Sequence, residues 1–275
     1  MSPLHTFSAA EVAGGVEVCA GTYSGLVDVG AEDRLRALWV GALPSLASRV
    51  AASRGLSVLH LLTGGTTSAG VFAVQRGNHL AVLKLTQHLA KGRRHEAAMR
   101  AYAAADLAPE VLEADEGTVD GVGYHLMVLE FVPGGDSLRD AAAPADVIPV
   151  LGRLLAGLRD CSATPLAIAL PSLAARVHVG HRRCHAVQPT PGGAPVPEGV
   201  RLATDLLGEL NATTPADHWV HGDLVPGNVL TAGPGRMLAI DPWVCAGDPD
   251  YDVAKAALEF GGELAGRRRT GRPDA

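Results

Sequence analysis

The stretch HWVHGDLVPGNVL, residues 218 to 230, gathers His221, Asp223 and Asn228 into one short run of small, turn-forming residues. Gly, Pro and Asn signal irregular backbone, and apolar residues bound the run, so its polar side chains belong to a loop between buried segments. A carboxylate held in such a loop can accept a proton from an attacking hydroxyl, which makes Asp223 a candidate base. After Asn228 the chain runs VL (229–230), turns at TAGPGR (231–236), returns as MLAI (237–240) and reaches Asp241. If the two short runs pair as a hairpin, Asn228 and Asp241 stand at its open end, where facing residues are about 4.5–5.5 Å apart. Oxygen donors from an amide and a carboxylate suit a hard cation such as Mg2+.

Those residues need elements to position them, and the front half of the chain supplies a different set. SVLHLL (57–62) leads into the glycine-rich turn TGGTTSAG (63–70), then VFAV (71–74), a polar turn and LAVLKL (80–85). The pattern predicts an antiparallel meander. The turn, with Gly65 and Ser68, offers backbone N–H groups and hydroxyls to phosphate oxygens, although hairpin turns are commonly rich in Gly and Ser. Lys84 alternates onto one strand face with Val82. Its stem is either buried, in which case the ammonium needs an anionic partner, or it snorkels to water from an edge strand. Glu96, early in the helix expected over 91–106, is the candidate partner; a lone helical Glu is otherwise a solvated surface residue. YHLMVLEFV (124–132) returns to strand character before PGGDSL (133–138) punctuates the chain.

Beyond that point the character changes, with helices expected over 144–161, 171–186 and 200–211. A strand-rich part joined to a helical part is an α+β plan. The expected organisation is an N-terminal helical extension over 1–56, broken at Pro44, a first lobe over 57–132, a helical lobe over 133–262 and a disordered tail over 263–275.

The order of glycine-rich hairpin, strand Lys, helix Glu, junction, HGDxxxxN, hairpin and Asp matches the arrangement of phosphoryl-transfer enzymes. HGDLVPGNVL followed by AIDPWVCAGDPDYDVA resembles the aminoglycoside phosphotransferases of the protein-kinase-like fold. The likeness is closest to the streptomycin 6-phosphotransferase and hydroxyurea-type antibiotic-resistance kinases, and it covers roughly residues 57 to 258. It implies a two-lobed α+β kinase, with an antiparallel-sheet N-lobe carrying one main helix and a mostly helical C-lobe. The implied reaction moves the γ-phosphate of ATP, or of GTP, onto a hydroxyl of a small molecule. By matched position the resemblance makes Asp223 the base, Asn228 and Asp241 the Mg2+ ligands, Lys84 the phosphate-positioning lysine and Glu96 its partner. It makes 129–132, with Glu130 and Val132, the hinge that meets the adenine. Gly222 stands where protein kinases carry an arginine that engages a phosphorylated loop, which favours a constitutively assembled small-molecule kinase. The acidic turn GDPDYD is expected to brace the loop and cap the next helix.

Composition narrows the remaining classes. The chain has 275 residues, 47% hydrophobic and 19% charged, with a formal net charge of -6. That balance argues against non-specific nucleic-acid binding, which needs cationic side chains to displace counterions. The N-terminus carries no basic segment followed by an apolar one, and no apolar run approaches the roughly 20 residues that span a bilayer. The cysteines at 19, 161, 184 and 245 form no CxxC pair, so reduced thiols in a cytoplasmic protein without membrane partners are expected. His178, His181 and His185 share one helical face beside Cys184, a set that could line an acceptor site or hold zinc. Relatives continue with helices that complete the acceptor cleft, whereas this chain ends in a basic stretch. That end motivates an alternative: a non-catalytic, nucleotide-binding kinase-like protein with an incomplete acceptor lobe.

Overall fold

The computed structural model describes residues 31–62, 69–119, 122–139, 147–173, 209 and 218–270. The chain divides into two compact units. Unit 1 runs to Glu96 and adds Pro109–Pro133; unit 2 takes Ala97–Ala108 and everything from Gly134. The junction at 133/134 falls where PGGDSL interrupts the sequence.

Unit 1 is built on a five-stranded antiparallel sheet, formed by β1 (Ser57–Leu61), β2 (Ala69–Arg76), β3 (His79–Thr86), β4 (Val111–Val119) and β5 (Val122–Glu130). Its spatial order is β1-β2-β3-β5-β4. Strand alternation divides it into two faces. Phe72, Val74, Ala81, Leu83, Leu85, Leu126 and Val128 form one buried cluster with Trp39, Leu43, Leu46, Ala47 and Val50 of α1 (Ala31–Ser53). The helix is therefore part of this core rather than an extension of it. It also passes through Pro44, where a break was expected. Proline removes the hydrogen bond to the carbonyl one turn back, but buried residues on both sides of it hold the helix against the sheet. Ser48 Oγ donates to the Pro44 carbonyl at 3.0 Å.

The opposite face carries Lys84, Thr86, His125 and Met127, placed together by the register Lys84↔Met127 and Thr86↔His125. The first half of α2 (Leu89–Ala104) packs here. Gly92 makes that approach possible: a Cβ at this position would overlap the ring of buried His125. Gly92→Ala is therefore expected to destabilise the protein by about 1–3 kcal/mol through overpacking, despite alanine's better helix propensity. Urea denaturation would check it, and a stabilised variant would contradict the packing.

Unit 2 takes the second half of α2 into its own core, where Tyr102 lies under Trp219 at 4.9 Å between ring centroids. The Ala239 N–H donates to the Leu107 carbonyl at 2.8 Å. The helix α3 (Val147–Ser162) buries Val147, Val150, Leu151, Leu154 and Leu158, an apolar stripe at helical spacing. Short strands β6 (Trp219–Val220) and β9 (Cys245–Ala246) pair, as do β7 (Val229–Thr231) and β8 (Met237–Ala239). The last helix, α4, spans Asp250–Thr270. It runs through 263–270, which the sequence assigned to a disordered tail; Glu, Leu, Ala and Arg there are good helix formers. Cys161 is a half-buried free thiol, and Cys245 is buried. Among the described residues no helix is long and apolar enough to cross a membrane.

Candidate active site

The loop from His221 to Asn228 hangs between β6 and β7 in unit 2 and is tied at several points. His221 is fully buried. Its Nε2 donates to the Ile240 carbonyl at 3.0 Å, and its Nδ1 accepts from the Asp223 N–H at 3.3 Å. Both ring nitrogens thus bind backbone, in the pattern of a neutral imidazole that orients the loop. Gly222 adopts φ 75°, the left-handed region that glycine enters without a Cβ penalty. The N–H groups of His221 and Gly222 donate to Asp252 Oδ2 and Oδ1 at 2.7 and 2.8 Å. Asp252, in the first turn of α4, is itself buried. Asp248 Oδ1 accepts from the Asp250 N–H at 2.9 Å and caps that helix. The acidic turn therefore braces the loop and starts the helix.

Asp223 emerges from these restraints with its side chain 37% exposed. The backbone then closes a 3-10 turn over Pro226–Asn228, with the Asn228 N–H donating to the Val225 carbonyl at 2.8 Å. Asn228 Nδ2 donates to the Asp223 carbonyl at 2.8 Å and reaches its Oδ2 at 3.4 Å. With the amide nitrogen spent inside the loop, Oδ1 is the atom left to accept or coordinate. Lys255 Nζ stands 3.7 Å from Asp223 Oδ1 and 3.5 Å from Glu259 Oε1.

The hairpin forms, with a shifted end. Val229 pairs with Ala239, and the Ile240 N–H donates to the Asn228 carbonyl at 2.9 Å. Ile240, not Asp241, thus stands opposite Asn228. Asp241 lies one residue further and has φ 54°, an uncommon conformation for a residue other than glycine. That local turn, rather than the ladder, sets its side-chain direction. The two residues supply a hard oxygen set, carboxylate and amide carbonyl, which fits Mg2+; phosphate and water oxygens would complete its shell. Among the described residues, no group of three or more His, Cys, Asp or Glu is disposed to hold a metal.

Within unit 1, Lys84 is 5% exposed, so it is buried rather than snorkelling. Its Nζ lies 3.1 Å from Nδ1 of His95, the residue before Glu96. Glu96 Oε2 accepts from His125 Nε2 at 3.0 Å. Two buried histidines that sequence reasoning missed thus stand beside the expected pair, His95 at Lys84 and His125 at Glu96. Their signal was present, since RRHE puts His95 next to Glu96 and YHLMVLE puts His125 two residues before Met127. Glu130 ends β5 with its N–H spent on the Glu110 carbonyl at 2.9 Å, and Val132 lies just past the strand. Gly65 and Ser68, and the face of His178, His181, Cys184 and His185, lie outside the described residues. Trp219, two residues before His221, is buried against Tyr102, its indole N–H donating to the Thr164 carbonyl at 2.9 Å. Trp243, two residues after Asp241, is 43% exposed.

Known proteins share this architecture. A thermostable mutant of the aminoglycoside phosphotransferase APH(4)-Ia, solved in a ternary complex with ADP and hygromycin B, aligns at 22% identity over 84% of this chain and 83% of its own, TM-score 0.52. An aminoglycoside-3'-phosphotransferase of type VIII aligns at 26% identity over 79% and 83%, TM-score 0.50. Choline kinase LicA from Streptococcus pneumoniae aligns at 18% identity over 79% and 74%, TM-score 0.51. These likenesses establish the kinase-like α+β fold. No curated protein matches the chain significantly. The family model described as "Phosphotransferase enzyme family" matches residues 59–274. A match over most of the sequence, with the loop geometry above inside it, makes the chain a member of the phosphotransferase enzyme family.

Proposed function

We propose that the protein is an ATP-dependent O-phosphotransferase whose acceptor is a hydroxyl of an aminoglycoside or a related polyhydroxylated small molecule. The motif HGDLVPGNVL followed by AIDPW supports a likeness, within the family, to the streptomycin 6-phosphotransferase and hydroxyurea-type resistance kinases. The observation that carries the reading is the disposition of Asn228. Its Nδ2 is committed to Asp223, which frees Oδ1 as a ligand and leaves the Asp223 carboxylate reachable. In this reaction the acceptor oxygen bonds to the γ-phosphorus, the bond to the bridging β–γ oxygen breaks, and the hydroxyl proton passes to Asp223. Asp241 and Asn228 hold Mg2+, which neutralises triphosphate charge when bound. Lys84 positions phosphate oxygens, Glu96 holds the lysine's surroundings in place, and the backbone near Glu130 and Val132 meets the base. Gly65 and Ser68 of the glycine-rich turn complete the phosphate contacts. Neighbours solved with ADP or AMP-PNP beside hygromycin B support a nucleotide and a cationic acceptor. A net charge of -6 is compatible with the latter.

The test has two arms. AMP-PNP with Mg2+ is expected to raise the melting temperature, and EDTA to remove that gain. ADP release is then measured with hygromycin B, streptomycin, kanamycin and choline as acceptors. Turnover on an aminoglycoside supports the assignment. Nucleotide stabilisation without turnover on any acceptor moves it to the non-catalytic alternative.

A further inference from the structure

Asp223 is a base that must work beside a triphosphate, and two anions brought together repel. The residue that answers this repulsion lies on α4, outside the loop motif. Asp252, Lys255, Ala256 and Glu259 fall on one face of that helix, three and four residues apart. Asp252 grips the loop through the His221 and Gly222 N–H groups. Ala256 is buried. Lys255, one turn along from Asp252, reaches Asp223 with its ammonium 3.7 Å from Oδ1, its side chain only 20% exposed. Glu259 stands 3.5 Å from the same ammonium, one further turn along. A single rigid element thus fixes the loop backbone and aims a cation at the loop's carboxylate.

We infer that Lys255 is the positioning residue of the phosphotransfer site: its ammonium orients the Asp223 carboxylate and offsets its repulsion of the triphosphate. The inference rests on the proposed role of Asp223. The distance matters. At 3.7 Å the ammonium attracts the carboxylate electrostatically, at a separation longer than a hydrogen bond. Asn228 Nδ2 approaches the other oxygen at 3.4 Å, so the two groups favour one orientation of the carboxylate. Lys255 is thus a cation that a helix, rather than the loop itself, brings to the base, since the two residues that follow Asp223 in the loop are Leu224 and Val225.

The experiment compares the full chain with Lys255→Met, Lys255→Arg and Glu259→Gln, using Mg2+·ATP and whichever acceptor of the panel gives ADP release. A unit charge near 4 Å in a partly solvated site changes a rate by roughly 10- to 100-fold. Lys255→Met is expected to lose that factor in kcat, with a rise in KM for ATP that is smaller than the loss in kcat. Lys255→Arg should recover most of the loss, and Glu259→Gln should cost only a few-fold, because it removes the tether and keeps the cation. Melting temperatures of all variants should stay within a few degrees. Wild-type kcat in Lys255→Met would overturn the inference while leaving the proposed reaction intact. So would an arginine variant as impaired as the methionine one, since a cation would then not be what matters. Silence of the unaltered protein on every acceptor would remove the inference together with the reading it rests on.

Discussion

Replacing Asp223 by asparagine is expected to lower kcat by about 10²–10⁴-fold, the range that a positioned general base contributes. The substitution keeps shape and volume. The loop should survive it, because the restraints on its backbone come from His221, Asp252 and the Asn228 amide rather than from the Asp223 carboxylate. What is lost is the acceptor for the hydroxyl proton, together with the charge that Lys255 faces. Stabilisation by AMP-PNP and Mg2+ should persist, since Asn228 and Asp241 are untouched. Steady-state ADP release with a productive acceptor, paired with a thermal shift, separates the two effects. Turnover near that of the unaltered protein would remove Asp223 from the role of base. Loss of nucleotide stabilisation in parallel would instead make it part of the nucleotide site.

The sequence made the loop legible because its chemistry depends on local spacing: HGD and the Asn five residues on lie in one segment, and a turn between two apolar runs is a short-range signal. The five-stranded sheet and its accompanying helix were legible for a related reason, since period-two and helical patterns survive inspection of a single chain. The features that escaped are those set by tertiary contact. Pro44 predicts a break by local rules, yet the helix runs on because Trp39, Leu43, Leu46 and Val50 are held in one core with the sheet. Lys255 looks like any surface lysine of an amphipathic helix; only the docking of α4 on the loop brings it to Asp223. His95 is 11 positions from Lys84 and His125 is 29 from Glu96 in the chain, but strand register and the docking of the helix are what assemble them. The hairpin was predicted correctly as a hairpin, while its end was misplaced by one residue, because ladder register is fixed by hydrogen bonds that the sequence does not print.

The second large effect belongs to Asp252, a residue that touches no substrate in the proposed reaction. It is 5% exposed and accepts from two consecutive backbone N–H groups, at 2.7 and 2.8 Å. Each hydrogen bond to a buried charged acceptor contributes about 1.5–3 kcal/mol, and a buried N–H left without a partner carries its full desolvation cost. Asp252→Ala is therefore expected to lower stability by about 3–5 kcal/mol, a large part of the roughly 5–15 kcal/mol that holds a typical protein folded. Asp252→Asn retains one acceptor oxygen but turns an NH2 toward the other N–H, so it should fall between the two. Asp248→Ala provides the contrast. It removes one helix cap from the same acidic turn and should cost about 1 kcal/mol. Urea denaturation of the three variants tests the order. Equal losses at 248 and 252 would mean that the turn merely starts α4. A loss concentrated at 252 would mean that the helix holds the loop, and activity at a temperature where Asp252→Ala is still folded should then be reduced as well, because Gly222 and His221 are the residues that lead directly into Asp223.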